Sequence, residues 1–114
     1  METGRIDLSD VAAKKGGRIG LTPPGRILER DVMKPLGLTS YRLAKDIHVP
    51  LNRVTAILAG ERAISADTSI RLGRYLGMSP GFWHRLQADY DLRSAQRVLG
   101  RKVLAGIEPL RAAE

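Results

Sequence analysis

Asn52 and Arg53 are adjacent, and each carries a planar hydrogen-bonding fork that matches the edge of a nucleic-acid base. Asparagine can pair bidentately with adenine N6/N7, and arginine with guanine O6/N7. Thr55 can donate a hydrogen bond or offer its methyl group to thymine. On one short helix, Leu51, Asn52, Arg53, Thr55 and Ala56 would form the outward, base-facing set. Ser40 and Arg42, at the start of the preceding helix, are placed for phosphates, where free backbone N–H groups add to the attraction. Arg62, in the following loop, is a further phosphate candidate. A lone exposed arginine is usually only solvated. The case rests on several hydrogen-bonding residues falling on one face of a patterned motif.

Other chemistries have little to work with. The chain has no cysteine, which removes disulfides, thiolate metal sites and cysteine nucleophiles together and suits a cytoplasmic protein. Its two histidines, His48 and His84, fall in a turn and on a helix, without metal-spaced carboxylates nearby. Asp89 and Asp91 are two apart on a helix and point in different directions, so they form no catalytic pair. No enzymatic activity, metal or cofactor is expected. Apolar runs are only a few residues long, so neither a membrane span nor a secretory leader is expected.

Charge points toward a polyanion. Nineteen Lys and Arg oppose twelve Asp and Glu, for a net charge of +7 over 114 residues. Nucleic acid is the commonest polyanion in a cell, although charge alone does not establish it.

The elements that must position these residues can be read from punctuation. Residues 1–22 hold sparse, unperiodic apolar residues and the run Lys14-Lys15-Gly16-Gly17-Arg18, and read as a flexible basic arm. A first helix is expected over 24–34, with proline in its first turn and Pro35 to stop it. A second follows Thr39 as N-cap over 40–47, and a third runs over about 50–59, with Pro50 first and Gly60 closing it. Ser65 caps a fourth that reaches Leu76 and Gly77. The fifth opens with Ser79 as N-cap and Pro80 at its first position, persisting to about Leu99. Residues 23–99 thus form an all-α, five-helix bundle, and 100–114 a tail that could add a turn or two.

The second and third helices are short and joined only by His48-Val49. Counting from Ser40, Leu43, Ile47, Val49, Val54 and Ile57 fall where a helix-turn-helix must be apolar, and Ala44 where the helices cross closely. The turn position usually holds glycine because its backbone is left-handed. Here it is His48, a residue type that tolerates that region at modest cost.

With these residues in view, the chain resembles the HigA antitoxins, a family that includes virulence-associated protein I and belongs to the xenobiotic-response-element class of lambda-repressor-like folds. The resemblance runs through Pro24-Gly25-Arg26-Ile27-Leu28, Pro35-Leu36-Gly37-Leu38-Thr39-Ser40-Tyr41-Arg42-Leu43-Ala44 and Gly60-Glu61-Arg62-Ala63-Ile64-Ser65. It is most specific in Ser79-Pro80-Gly81-Phe82-Trp83, and spans about residues 23–97. Three features depart from the pattern: Pro23 where the family usually has histidine, His48 for the turn glycine, and the long basic leader. The resemblance implies a homodimer that binds a palindromic double-stranded operator, represses its own operon and neutralises an mRNA-cleaving ribonuclease toxin. A stand-alone repressor without a toxin would share the fold and the operator chemistry.

The fifth helix supports a dimer independently of the family. At about 100° per residue, Phe82, Trp83, Leu86 and Tyr90 fall on one face. Ala88, Leu92, Ala95 and Leu99 fall on roughly the opposite face and form the expected dimerisation stripe. The alternative cover for that stripe is the tail, folded back over it.

Overall fold

A computed structural model describes residues 21–111; the basic arm expected over residues 1–22 lies, apart from its last two residues, outside the described residues. Residues 24–36 form one helical run, α1, made of Pro24–Ile27, a π-helical turn at Leu28–Met33, and Lys34–Leu36. Pro35 does not stop this helix, which continues to Leu36 and ends at Gly37 in the left-handed region (φ 65°). The reason lies in the wide turn before it. A proline ring clashes with the carbonyl four residues earlier in a regular helix, whereas here the Lys34 N–H bonds five residues back to the Glu29 carbonyl and opens the spiral.

Helices α2 (Ser40–Ile47) and α3 (Leu51–Leu58) make the helix-turn-helix. Thr39 caps α2 by accepting the Arg42 N–H at 3.1 Å. His48 adopts φ 60°, ψ 50°, the left-handed turn that the motif requires. Pro50 stands one residue before α3 as its N-cap, and Gly60 (φ 79°) follows it. Ser65 caps α4 (Ala66–Leu76) by accepting the Thr68 N–H, and Gly77 (φ 72°) ends it.

The last helix, α5 (Phe82–Ala105), starts two residues later than its sequence suggests. Ser79 is not its N-cap: Ser79-Pro80-Gly81 form a turn in which the Phe82 N–H bonds to the Ser79 carbonyl at 3.2 Å. Tertiary bonds hold that turn. The Ser69 hydroxyl on α4 donates to the Pro80 carbonyl at 2.6 Å and accepts the His84 N–H at 3.0 Å. Gly100 (φ 75°, ψ 169°) breaks α5 near its expected end, and residues 101–105 resume as the short helical extension of the tail.

The core gathers Leu28, Val32, Leu43, Val54, Ile57, Ile64 and Leu72 around a fully buried Trp83. Ala44 is buried where α2 and α3 cross, and Val49 packs on the core from the turn. Gly25 seats the start of α1 directly on α3: a Cβ there would lie 1.8 Å from the Ile57 carbonyl oxygen. That approach fixes α3 against the bundle.

Candidate nucleic-acid interface

Short buried stripes leave one side of α3 outside the core. Leu51, Asn52 and Thr55 are exposed there, and Ala56 is half-buried. The Thr55 hydroxyl donates to the Asn52 carbonyl at 3.3 Å, a local bond that leaves its methyl and lone pairs available. The Ala56 carbonyl accepts the Glu61 and Arg62 N–H groups, tying the loop after α3 to the helix and presenting Arg62 exposed at its base. Ser40, half-buried, opens α2, with Arg42 exposed beside it.

Two of the expected cations are engaged within the protein. Arg42 Nε donates to Asp46 Oδ2 at 2.7 Å, one turn along α2. Asp46 also accepts the Tyr75 hydroxyl from α4. The Tyr75 hydrogen bond, followed by that of Arg42, holds the Asp46 carboxyl below its usual range, and the same bond to Asp46 raises Tyr75. Arg53 lies back toward α4 instead of standing clear: its side chain is 26% exposed and its Nη1 donates to Asp67 Oδ1 at 3.4 Å. Its Nε is enclosed without a partner.

The sequence reading missed the residues that hold these side chains. Asp67 also accepts Arg71 Nε at 2.6 Å, and Arg71 Nη1 donates to the carbonyls of Ile47 and His48. The four-residue spacing of Arg42–Asp46 and Asp67–Arg71 was a usable signal, since such pairs meet on a helix. Nothing local pointed from Arg71 to a turn more than twenty residues earlier. A cleft of about 310 Å³ sits beside this network, lined by His48, Ile70, Arg74 and Tyr75 among others.

Along α5, Trp83 is buried, and Phe82, Leu86 and Tyr90 are half-buried against the bundle. Ala88, Leu92, Ala95 and Leu99 are exposed, with Leu92 at 59%. The described tail does not cover them, and its own Val103, Leu104, Ile107 and Leu110 are exposed as well. Among the described residues no helix is long and apolar enough to cross a membrane.

The helix-turn-helix family model matches residues 30–83, from the π turn of α1 to the buried tryptophan of α5. Virulence-associated protein I of Dichelobacter nodosus is 42% identical over 74 residues, covering 65% of this chain and 68% of that protein. Among solved structures, an addiction module antidote protein of the HigA family from Coxiella burnetii is 38% identical, with a TM-score of 0.74 over 81% of this chain and all of that one. The antitoxin HigA of Pseudomonas aeruginosa, solved with the higBA promoter, is 36% identical, with a TM-score of 0.76 over 81% of this chain and all of that one. With its two short helices, left-handed turn and buried Trp83, the chain belongs to the HigA antitoxin family of helix-turn-helix proteins.

Proposed function

We propose that this chain is the DNA-binding antitoxin of a toxin–antitoxin pair, repressing its own operon and neutralising an mRNA-cleaving ribonuclease toxin in the cytoplasm. The observation that carries the reading is the exposed face of α3, where Asn52 and Thr55 stand clear of a core that uses the opposite side of the same eight residues. Placed in a major groove, α3 brings Leu51, Asn52, Arg53, Thr55 and Ala56 to base edges, while Ser40, Arg42 and Arg62 meet phosphates. The +7 charge supplies the long-range attraction. Arg42 spends its Nε on Asp46 and, being exposed, can turn the other end of its guanidinium to a phosphate in that pose. The protein works by binding, with no catalytic step and no cofactor.

Two-fold assembly through the Ala88, Leu92, Ala95 and Leu99 face of α5 would present two copies of α3 to one side of the duplex, about 34 Å apart. The test is a gel shift on the DNA upstream of the gene. Binding is expected at low salt, with the log of affinity falling by about 0.9 per log unit of salt for each phosphate neutralised. No shift at low salt overturns the reading. Co-purification from the native operon separates an antitoxin from a repressor that acts alone.

A further inference from the structure

From Ala95 to Arg111 every residue but Gly100 is exposed, so the late half of α5 and the tail stand clear of their own bundle. Past the break at Gly100 this stretch carries Val103 and Leu104, each 48% exposed, Ile107 at 65% and Leu110 at 98%. A run of exposed aliphatics this size marks an interaction surface. The stripe from Ala88 to Leu99 offers about 300 Å² per protomer even if wholly covered, and the four aliphatics after Gly100 about 450 Å² more. A standard contact takes about 800 Å² from each partner, a little over half of it apolar. The stripe alone falls short of that, and the two together meet it. Charge indicates what covers them. Within α5 the only carboxylates are Asp89 and Asp91, near its start, and cations follow at Arg93, Arg97, Arg101 and Lys102. Among the described residues Arg93 is paired, with Asp89 at 3.2 Å, whereas Arg97, Arg101 and Lys102 have no ion pair.

Resting on the two-fold assembly proposed above, we infer that residues 101–110 are an arm that crosses to a second copy of this chain, with the two α5 helices antiparallel. A two-fold axis allows two copies of a helix to meet either parallel or antiparallel. Parallel, each cation of the late half meets its own copy. Antiparallel, the late half of one helix lies along the early half of the other. Arg97, Arg101 and Lys102 then face the partner's Asp89 and Asp91, twice in each dimer. Opposite charges so placed set the direction and select against the parallel alternative. The contact is centred near Ala95, whose small side chain, like that of Ala88, lets the helices approach closely. Gly100 breaks the helix between stripe and arm, which lets the arm leave the line of α5 and follow the partner's surface. There Val103, Leu104 and Ile107 gain, near the start of the partner's α5, the cover that their own bundle does not give.

The test is sedimentation of the full chain over a range of concentrations, with folding checked by circular dichroism. Leu104→Glu combined with Ile107→Glu should raise the dimer dissociation constant about a hundredfold or more. Ile70→Glu, the same kind of change at an exposed aliphatic of α4, should leave it within about twofold. Asp89→Lys with Asp91→Lys, and separately Arg101→Glu with Lys102→Glu, should each weaken the dimer about tenfold or more. Mixed in equal amounts, these two charge-reversed chains should pair with each other at close to wild-type strength, which an arm folded on its own chain does not produce. Asp89→Lys alone serves should loss of the Gln87–Asp91 bond unfold the first of them. The inference is overturned if the arm variant dimerises as wild type does, which leaves the arm free for a toxin, or if the mixed chains fail to pair. The dimer reading survives either outcome as long as Leu92→Glu with Ala95→Glu still gives a monomer. A wild-type chain that sediments as a monomer at every concentration overturns both.

Discussion

Arg71 reaches from α4 to the turn of the helix-turn-helix and donates its Nη1 to the His48 carbonyl at 3.0 Å. The same nitrogen bonds the Ile47 carbonyl at 2.8 Å. These carbonyls lie at the C-terminal end of α2, where the helix leaves acceptors without partners and its dipole favours a cation. One side chain thus completes the end of α2 and fixes the angle at which α3 departs.

Replacing Arg71 with alanine should lower the unfolding free energy by about 1–2 kcal/mol, the cost of stranding the part-buried Ile47 carbonyl and losing the exposed bond to His48. Urea unfolding measures this. A change within a few tenths of a kcal/mol would mean that water serves the two carbonyls equally well.

Gly25→Ala should cost about 3 kcal/mol or more, because the added methyl meets the Ile57 backbone oxygen at 1.8 Å and the helices must part. Gly37→Ala is the control: a Cβ there meets nothing within 4 Å, and only the left-handed backbone penalty, about 1 kcal/mol, applies. Thermal unfolding of the two variants should separate them clearly.

Acid should weaken the bundle through Asp46. Its folded-state pKa is depressed, first by Tyr75 and then by Arg42, so the folded protein binds fewer protons than the unfolded chain in the acid range. The resulting stability is present above the usual carboxylate range and is lost as pH falls through the depressed value. Asp67, held down first by Arg71, acts in the same direction. Asp46→Asn should flatten the decline of the urea midpoint measured from about pH 7 to pH 3.

Leu92→Glu combined with Ala95→Glu should yield a folded monomer with most operator affinity lost, since like charges would meet across a symmetric contact. Analytical ultracentrifugation decides it. A dimer that survives both substitutions places the interface elsewhere.

Much of this architecture was legible in the residues. The caps Thr39 and Ser65, the closing glycines Gly60 and Gly77, and the apolar register from Leu43 to Ile57 act locally, and each marks its element. The left-handed His48 followed from where the motif needed a turn. What sequence missed was tertiary. Pro35 and Ser79 carry strong local signals that the π turn and the Ser69 hydroxyl override. On the candidate interface, the outward placement of Asn52 and Thr55 followed from helical period. The sideways set of Arg53 did not, because it depends on a carboxylate fourteen residues away on another helix.

The π turn of α1 bears on how this fold tolerates changes in length. A π turn houses about one residue more than the α turn it replaces. Deleting an exposed residue from it, such as Arg30, would let the spiral relax to ordinary pitch while Gly25 upstream and Gly37 downstream kept their facing. An extra residue that elsewhere would rotate half a helix off its partner is here stored as slack, so the first helix can lose a residue without disturbing α3, which rests against it.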